Sequence, residues 1–506
     1  MRHPSCLFAA AGFALLVGAS AAFAAEVPAE LGFNKFDLPA QYLGYASGGR
    51  GKAGWIRTTR AMGQKALADA QYLRAAFLRV AITGYAPSAA GERGDLDLWL
   101  NQPDLYWKTI DGMMADVERH EIKLVPVFVW NVNQFPAMAG ETVADLIARP
   151  RSHSRALLRR YVEEFIARYR ARDLFAFYEL TNELNLGADL DQVRRCRDQR
   201  GETQLCRTRA NYTTDEMNEF TLWLAAVIRA VDSARLISSG FSVPRGIASR
   251  LRARPEWITG ALPREPDTPQ ELERYLIDVH RPLDIVSVHI YPRGENRRFG
   301  GDEEALLERL NAIAQSAGKR LYLGEFGDDN PDKDRPGNFV ERMLAAVERL
   351  TVPLASPWIF EFYQAKPYPV AGSKAYSFNL EPGYTPRTLS SFREFSCRLS
   401  RERCRAAPPE TRPRVVLAWP MPCTPLTYPI EAFAVASENA AASSAVSFGV
   451  DERVLAIVDK PPYRARLTPD AASRVRRVFA RACNSIGCSE DSVSFNGSPA
   501  ECQATN

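Results

Sequence analysis

The chain has 506 residues, of which 46% are hydrophobic and 25% charged, a balance typical of a globular protein with a large buried core. This length leaves room for two or three domains. The formal net charge is only +4 and the basic residues are spread along the chain, so nothing in the composition suggests a nucleic-acid partner. The five histidines are sparse and no Cys-x-x-Cys pattern occurs, so the sequence predicts neither a metal ion nor another cofactor.

Residues 1–24 have the pattern of a secretory signal peptide. A basic start at Arg2 precedes an apolar run from Leu7 to Val17, and small residues follow up to Ala24. A membrane anchor is the alternative, but the apolar run is shorter than the roughly 20 residues that span a bilayer. We therefore expect cleavage after Ala24, an exported protein in the periplasm or the medium, and no later membrane span.

The cysteine count agrees with an oxidising compartment. Cys6 is lost with the signal peptide, and the eight that remain are an even number. Four disulfides are expected, although the spacing does not fix their connectivity. Cys423 and Cys502 stand apart from the other six. The close pairs are Cys196 with Cys206, Cys397 with Cys404, and Cys483 with Cys488.

Short apolar runs alternate with longer amphipathic ones from about residue 40 to residue 400. The short runs predict buried parallel strands, because such strands are apolar on both faces. The eight predicted strands are Tyr42–Tyr45, Phe77–Ile82, Leu124–Val129, Ala176–Leu180, Leu236–Ser239, Ile285–Ile290, Leu321–Gly324 and Pro357–Phe362.

The longer runs predict helices, among them Trp107–His120, Ser154–Arg170 and Phe339–Leu350. Thr213 and Glu216 have the spacing of a capping box. Eight alternating strand and helix units predict an α/β fold of the (β/α)8 barrel type. A doubly wound open sheet is the rival, and strand counting alone does not decide between them. The apolar face expected after the capping box is Phe220, Leu222, Leu224 and Val227.

The composition changes after Cys404, where residues 406–413 have the Pro-rich character of a linker. Strand-like runs with turn signals and little helix follow. We therefore expect a catalytic barrel domain over residues 25–405, a linker over 406–413 and a small all-β sandwich over 414–506. The strands predicted in the sandwich include Val415–Trp419, Ala432–Ala436, Val454–Val458 and Val475–Ala482.

The last residues of the chain resemble the final hairpin of a fibronectin type III domain. The similar segments are Phe479–Gly487 and Ser492–Phe495. The resemblance implies a fibronectin type III-like sandwich in which Trp419 is the core tryptophan. Arg476 stands near the place of the tyrosine that forms the tyrosine corner of such folds, which is a departure from their pattern.

Acidic residues stand at the ends of the fourth and seventh predicted strands. Thr181-Asn182-Glu183 follows the fourth strand, and Gly324-Glu325 ends the seventh. The chemistry of a barrel takes place where its strands end at the carboxyl face, so the two glutamates should face one another across its mouth. Glycoside hydrolysis requires such a pair, one carboxyl to protonate the leaving oxygen and the other to attack the anomeric carbon or activate water.

Two longer motifs, Phe177–Glu183 (FYELTNE) and Arg320–Gly327 (RLYLGEFG), resemble the clan A glycoside hydrolases. The closer resemblance is to family 5, the cellulase and mannanase family. It implies that Glu183 is the acid/base, that Glu325 is the nucleophile and that Asn182 hydrogen-bonds the 2-hydroxyl of the sugar.

The same resemblance implies further site residues. His289 and Tyr291, in a segment similar to strand six, would line the site, and Tyr291 would hydrogen-bond the nucleophile. Arg79 resembles a strand-two arginine that contacts the nucleophile, and Trp358 a strand-eight platform for the sugar. Two departures from the family pattern are Leu184, where proline usually follows the acid/base, and Trp130-Asn131, where histidine often ends strand three. We expect Trp130 and Asn131 to line the substrate site.

Each of these residues also has a structural explanation. Thr181-Asn182-Glu183 is typical of a helix N-cap, and Glu325 next to glycine is typical of a surface turn. His289 and Tyr291 fit ordinary strand ends, and Trp358 fits core packing. A chance origin is harder to accept for two glutamates at the fourth and seventh of eight strands.

Three further features stay open. Arg79 lies within a strand and needs a carboxylate partner, either catalytic or structural. Glu361 is either a substrate contact or a solvent-facing residue. The segment Asn185–Asn211, which holds Cys196 and Cys206, is either a wall of the substrate cleft or a solvated insertion.

Taken together, the sequence predicts an exported, metal-independent β-glycosidase that acts by double displacement on a polysaccharide or oligosaccharide. This mechanism requires the pKa of Glu183 to be raised and Glu325 to be ionised. Endo-cleavage of a β-glucan or β-mannan is the expectation from the family, and cleavage of an exopolysaccharide is the alternative. The rival classes are an inactive carbohydrate-binding or assembly protein on the same barrel, and a metal-dependent hydrolase. The sequence gives no oligomeric state.

Overall fold

The computed structural model describes part of the chain. The predicted signal peptide, most of the predicted linker and four cysteines (Cys196, Cys206, Cys423 and Cys502) lie outside the described residues. In the described part, no helix is both long enough and apolar enough to cross a membrane. The described residues are 29–44, 59–83, 95–190, 212–254, 265–292, 299, 301–328, 334–362, 386–400, 404, 412–420, 426, 428–436, 445–459, 463–469 and 475–495.

Eight parallel strands close into a barrel in which each strand pairs with the next and β1 pairs with β8. This confirms the (β/α)8 prediction and excludes the doubly wound rival, because an open sheet leaves its first and last strands unpaired. The strands are β1 (Glu30–Asn34), β2 (Phe77–Ala81), β3 (Lys123–Val129), β4 (Tyr178–Thr181), β5 (Ile237–Ser238), β6 (Ile285–Ile290), β7 (Arg320–Phe326) and β8 (Leu354–Ala355).

The helices that surround the barrel bury one face each against it. Thr213 and Glu216 form the predicted capping box, each side chain bonding the backbone amide of the other residue. The predicted apolar face of that helix is wrong at Leu222, which is 58% exposed. The helices are α1 (Leu38–Leu43), α2 (Arg60–Tyr72), α3 (Asp95–Asn101), α4 (Pro103–Arg119), α5 (Gln134–Ala139), α6 (Val143–Ala148), α7 (His153–Tyr169), α8 (Thr214–Val231), α9 (Ala248–Ala253), α10 (Pro269–Val279), α11 (Glu303–Ser316), α12 (Phe339–Arg349) and α13 (Pro386–Leu399).

The first predicted strand is wrong. Tyr42 and Leu43 end the short helix α1, which Gly44 closes in the left-handed conformation at φ 76°. The first barrel strand is instead Glu30–Asn34, whose glycine and polar residues give no apolar run. Gly32 is required there, because a Cβ atom at this position would lie 2.4 Å from the ring of Phe77 on the neighbouring strand.

The eighth predicted strand is displaced along the chain. The ladder residues are Leu354 and Ala355, and the predicted segment Pro357–Phe362 begins just after them. Proline lacks the amide hydrogen that a central strand needs, which explains why the regular ladder stops before it. Beyond the ladder, the amide of Trp358 still donates to Phe326 of β7. The segment therefore continues the barrel wall up to its mouth.

The barrel interior has an aromatic floor with a polar layer above it. The rings of Phe77, Phe177 and Tyr322 lie with centroids 5.0–6.0 Å apart. Arg79 and Glu179 follow two residues later on their strands, and therefore point to the same side of the sheet, one layer nearer the carboxyl face. This floor supports the charged residues of the site from below.

The C-terminal region is a sandwich of two antiparallel sheets, with strand orders β13-β10-β9 and β12-β11-β14-β15. The predicted small all-β sandwich is therefore confirmed, while its fibronectin type III identity stays a prediction. The strands are β9 (Val415–Trp419), β10 (Ile430–Ala436), β11 (Val446–Val450), β12 (Arg453–Val458), β13 (Tyr463–Leu467), β14 (Arg477–Asn484) and β15 (Gly487–Ser494).

Trp419 does not lie in the core of the sandwich. It is partly buried against a separate cluster that joins the sandwich to Met62 of α2. The other buried members of this cluster are Val416, Ala418 and Phe433, on β9 and β10. The reason is the position of Trp419 at the end of β9, the strand that packs on the barrel.

Two of the predicted disulfides are present. Cys397 is bonded to Cys404 at the end of α13, and Cys483 to Cys488 across the turn between β14 and β15. The remaining cysteines of the four-disulfide prediction lie outside the described residues.

Replacing Phe392 by alanine should lower the free energy of unfolding by about 3–5 kcal/mol, because it leaves a cavity under α13. Phe392 is 1% exposed, and its ring centroid lies 4.0 Å from that of Phe33 on β1. Urea unfolding measures the change. Leu222→Ala, at an exposed position of α8, should change the value by no more than about 0.5 kcal/mol. Equal effects of the two substitutions would contradict this account of the packing.

Candidate active site

Glu183 lies at the mouth of the barrel, two residues after the end of β4. Its backbone has φ 50°, in the left-handed region that non-glycine residues seldom adopt. The Glu183 amide donates to the carbonyl of Gly240 beyond β5, at 2.8 Å. Gly240 must be glycine, because a Cβ atom there would lie 1.7 Å from the carbonyl oxygen of Thr181. The neighbouring strand thus fixes the direction in which the Glu183 side chain leaves the chain.

Glu325 lies near the end of β7, beside an irregularity in the pairing with β6. Val288 pairs with Leu323 and His289 with Glu325, so Gly324 is the extra residue of a β-bulge. A Cβ atom on Gly324 would lie 2.9 Å from the His289 ring, which explains the glycine. The bulge turns Glu325 towards the barrel axis and sets it opposite His289.

Both carboxylate oxygens of Glu325 accept short hydrogen bonds. The guanidinium of Arg79 donates to Oε1 at 2.6 Å, and the hydroxyl of Tyr291 donates to Oε2 at 2.6 Å. The Glu325 side chain is only 6% exposed. These donors fix the orientation of the carboxylate.

Arg79 connects most of the site. Besides Glu325 it donates to Glu179 at 2.5 Å, to Asn182 at 2.9 Å and to Asn34 at 2.9 Å, and its side chain is fully buried. Burial disfavours the charge, but Glu179 and Glu325 outweigh it and raise the Arg79 pKa above its ordinary value. The carboxylate partner that the sequence requires for Arg79 is therefore a pair, Glu179 and Glu325.

Asn34 and Glu179 were missed at the sequence level. Glu179 is fully buried in β4 and also accepts from the hydroxyl of Ser238 at 3.0 Å. The signal for it was available, since Arg79 and Glu179 are opposite charges inside two predicted buried strands. Asn34 donates to the carbonyl of Gly324 at 2.7 Å and so supports the bulge. It escaped notice because β1 was predicted in the wrong place.

His289 joins the two glutamates. Its Nδ1 lies 2.9 Å from Glu183 Oε1 and 3.6 Å from Glu325 Oε2. Burial opposes ionisation of Glu183, but the hydrogen bond and charge of His289, with the charge of Arg79, outweigh it and hold the Glu183 pKa below its ordinary value. The expected raised pKa of Glu183 is therefore wrong for this structure, because His289 donates to the carboxylate.

The two carboxylates lie close together. One oxygen of Glu183, one of Glu325 and a ring nitrogen of His289 are all within 4.8 Å of one another. Such a trio also has the composition of a metal site. Arg79 and Tyr291 already donate to the two oxygens of Glu325, and a bound cation would have to compete with the buried Arg79 charge.

Trp130 and Trp358 lie beside this network, with ring centroids 5.8 Å apart and an interplanar angle of 12°. The Arg79 guanidinium lies 5.0 Å from the Trp130 ring centroid, which connects the aromatic side chains to the charged centre. Both tryptophans are partly exposed. Two neighbouring rings, Phe36 and Phe362, were not predicted as site residues.

Asn131 does not join the network. Its side-chain oxygen accepts from the backbone amide of Asn133 and so stabilises the turn before α5. The structure thus connects Arg79, Asn182, Glu183, His289, Tyr291 and Glu325 through hydrogen bonds, with Trp130 and Trp358 next to them.

The chain is similar to solved structures of β-mannan-degrading enzymes. These likenesses concern the fold alone. An endo-β-1,4-mannanase from Thermotoga petrophila is 14% identical, with a TM-score of 0.47 over 94% of this chain and 99% of that one. An endo-1,4-β-mannanase from Rhizomucor miehei is 11% identical, with a TM-score of 0.49 over 74% of this chain and 96% of that one.

An exo-β-1,4-mannosidase from Opitutaceae bacterium strain TAV5 is 15% identical, with a TM-score of 0.46 over 75% of this chain and 61% of that one. No protein-family model matches the sequence, and no curated protein matches it. The assignment of a reaction therefore depends on the geometry of the site.

The Glu183 carboxylate should contribute a stability that depends on pH. Because its pKa is lower in the folded protein than in the unfolded chain, the contribution is present above about pH 4.3, the ordinary value, and is lost as the pH falls through the folded value. Lowering the pH from 7 to about 3 should therefore reduce the free energy of unfolding of the wild type more than that of Glu183→Gln.

Urea unfolding at the two pH values measures this shift. Glu121→Gln, at an exposed position, serves as the control for general effects of removing a carboxylate. If the wild type instead becomes more stable relative to Glu183→Gln as the pH falls, the lowered pKa is wrong.

Proposed function

We propose that the protein is an exported retaining β-glycosidase that hydrolyses a polysaccharide, either a β-glucan, a β-mannan or an exopolysaccharide. The observation that carries the proposal is the pair of opposed carboxylates with oxygens within 4.8 Å. Carboxyl groups about 5–5.5 Å apart are typical of retaining enzymes, whereas inverting enzymes keep them about 6.5–9.5 Å apart to admit a water molecule.

In the first step Glu325 attacks the anomeric carbon. The bond from that carbon to the glycosidic oxygen breaks, and Glu183 gives its proton to the leaving oxygen. Arg79 and Tyr291 hold the Glu325 carboxylate in place, so little reorganisation precedes the attack. Asn182, held by Arg79, is positioned to bind the sugar 2-hydroxyl.

In the second step water replaces the enzyme at the anomeric carbon. Glu183, now a carboxylate, takes a proton from the water, the oxygen attacks the anomeric carbon, and the bond to Glu325 breaks. His289 donates to Glu183 at 2.9 Å and stabilises this carboxylate form. Both glutamates return to their starting states, and the sugar leaves with its original anomeric configuration.

The same proposal assigns substrate-binding roles to Arg79, His289, Tyr291, Trp130 and Trp358.

Export is supported by the signal-like residues 1–24 and by the two disulfides, which are typical of oxidising compartments. No step of the mechanism requires a metal or another cofactor.

One observation favours the second candidate, an inactive carbohydrate-binding protein. A general acid must carry a proton, yet His289 stabilises the ionised form of Glu183.

The assay that separates the candidates is reducing-sugar release from a panel of soluble β-glucans, β-mannans and exopolysaccharides, over a range of pH that includes acidic values. Release by wild type and not by Glu325→Ala supports the hydrolase. Binding without release at every pH supports the inactive protein.

The role of each glutamate can be tested on the substrate found in that panel. A 2-deoxy-2-fluoro glycosyl fluoride of the released sugar should label Glu325, because the fluorine slows hydrolysis of the covalent intermediate. Mass spectrometry of the digested protein locates the label. Glu183→Ala should lower turnover of the natural substrate by about 10²–10⁴-fold.

Two results would contradict these roles. One is a label on Glu183. The other is an initial product with inverted configuration, observed by nuclear magnetic resonance before the anomers equilibrate.

The lowered pKa of Glu183 predicts an acidic pH optimum. Glu183 must be protonated in the first step, so kcat/KM should fall as the pH rises through its pKa, which lies below the ordinary value. His289→Ala removes the hydrogen bond that stabilises the carboxylate. Burial then raises the Glu183 pKa, and the basic limb of the kcat/KM profile should move to higher pH.

The pH profiles of wild type and His289→Ala measure this change. His153→Ala, which removes a side chain that is 85% exposed at the start of α7, should leave the basic limb where it is. An unchanged basic limb in His289→Ala would show that this histidine does not control the proton of the general acid.

A further inference from the structure

The peptide that follows Glu183 forms a short 3₁₀ turn over Leu184–Gly187, in which the amide of Leu186 donates to the carbonyl of Glu183 at 3.1 Å. Leu184 stands where the glycoside hydrolases that this sequence resembles usually have proline. A proline would push Glu183 towards an extended backbone, whereas leucine is compatible with the left-handed φ of 50°. Leucine does not fix its own φ as proline does, so other groups have to hold this turn.

The hydroxyl of Tyr212 holds the first peptide of the turn. It donates to the carbonyl of Leu184 at 2.5 Å, and Tyr212 is only 2% exposed. Burial raises the pKa of Tyr212 above its ordinary value, so the hydroxyl keeps its proton and remains a donor. Gly187 makes room for this hydroxyl, because a Cβ atom at position 187 would lie 2.5 Å from the Tyr212 oxygen. The bond to Leu184 therefore depends on a glycine within the turn itself.

Tyr212 is fixed in turn at the start of α8. Thr213, the N-cap of that helix, follows it directly. The carbonyl of Tyr212 accepts from the amide of Asp189 at 2.9 Å. The carboxylate of Asp189 accepts from the amide and the hydroxyl of Thr214 at 3.1 and 2.6 Å. The hydroxyl that reaches Leu184 is thus attached to the end of an 18-residue helix.

A second set of bonds ties the same turn to the segment that follows β5. The side chain of Asn185 donates to the carbonyl of Ser242 at 2.8 Å and accepts from the Ser242 amide at 3.1 Å. The guanidinium of Arg245 donates to the carbonyl of Leu186 at 2.8 Å. The turn is therefore held on one side by the segment after β5 and on the other side by Tyr212.

The position of this turn decides where the Glu183 carboxylate lies. A left-handed backbone persists in a non-glycine residue only where the surrounding structure enforces it. If the Leu184 carbonyl were released, Glu183 would relax towards a commoner φ, and its carboxylate would leave its place 2.9 Å from His289 Nδ1. A displacement of about 1 Å at a catalytic group can lower a rate by about a hundredfold.

We propose that Tyr212 is a positioning residue of the reaction, because its hydroxyl fixes the Leu184 carbonyl and thereby keeps the Glu183 carboxyl beside the glycosidic oxygen. This inference rests on the proposed glycosidase function and deepens it. Tyr212 acts through the backbone of Glu183. Its loss therefore impairs the transfer of the proton and leaves the attack by Glu325 intact.

The first measurement compares two kinds of leaving group. Cellohexaose and mannohexaose need a proton from Glu183 on the departing sugar oxygen, whereas 2,4-dinitrophenyl β-cellobioside and β-mannobioside release a phenolate that needs none. Tyr212→Phe should lower kcat/KM for the hexasaccharide that the wild type cleaves by about ten- to a hundredfold. It should change kcat/KM for the matching dinitrophenyl glycoside by no more than about twofold.

Two further variants complete this measurement. Tyr275→Phe removes a buried hydroxyl that lies 3.5 Å from Thr214 of α8, and this matched control should leave both kcat/KM values unchanged. Gly187→Ala should reproduce the pattern of Tyr212→Phe, because the new methyl group displaces the hydroxyl from the Leu184 carbonyl without removing it. If Tyr212→Phe does not fold, Gly187→Ala takes its place.

The second measurement does not require turnover. The carbon-13 signal of the Glu183 carboxyl is followed through a pH titration by nuclear magnetic resonance, and Glu183→Gln assigns it. The Glu183 pKa should be higher in Tyr212→Phe than in the wild type, because the carboxylate loses the hydrogen bond from His289 while burial still opposes its charge. Tyr275→Phe should leave this pKa unchanged.

Two results would overturn the proposal. One is an equal loss of kcat/KM for the hexasaccharide and the dinitrophenyl glycoside in Tyr212→Phe, which is what a merely structural role produces. The other is a Glu183 pKa that is the same in Tyr212→Phe and in the wild type.

The outcome is separate from that of the proposed function. If the wild type releases sugar from no member of the polysaccharide panel, the proposed function is contradicted. If the wild type cleaves neither hexasaccharide, the Glu183 pKa alone decides whether Tyr212 positions this carboxyl. Hydrolysis that Tyr212→Phe leaves unchanged for both kinds of leaving group contradicts this inference alone.

Discussion

The guanidinium of Arg79 is the one group on which the geometry of the site depends. It is fully buried, and a buried charge is tolerated only where partners satisfy it. Its donors reach Glu179 on β4, Asn182 just beyond β4, Glu325 on β7 and Asn34 on β1. One side chain therefore ties three strands of the barrel together at the same level. The two carboxylates beside it more than offset its single positive charge, and one of them is the candidate nucleophile.

The glycines of the site follow from this close packing. Gly324 provides the extra residue of the β7 bulge, and Gly240 lets the chain after β5 approach the end of β4. A side chain at Gly324 would meet the His289 ring, and one at Gly240 would meet the Thr181 carbonyl and the Glu179 side chain. The candidate catalytic residues are thus positioned by backbone features of neighbouring strands as much as by those of their own.

The barrel domain contains two groups of buried charges. The first surrounds Arg79 and carries the proposed chemistry, whereas the second surrounds Lys65 and contacts no reacting group. Glu361 belongs to the second group: it is 1% exposed and accepts from Lys65 at 2.7 Å, so it is neither solvent-facing nor free to bind substrate. The sandwich packs on α2 through Met62, one turn before Lys65, so its attachment lies near the second group.

The sequence by itself determined the repeating strand and helix pattern, the sandwich after it and the two glutamates, because apolar periodicity and residues at strand ends are local signals. It misplaced β1 at Tyr42 and missed Asn34, because Glu30–Asn34 carries no apolar run. Only the tertiary structure decided the partners of Arg79, the buried state of Glu361 and the lowered pKa of Glu183. Each of these depends on contacts between residues far apart in the chain, such as Glu183 with His289 and Lys65 with Glu361, and no local pattern encodes which distant groups will meet.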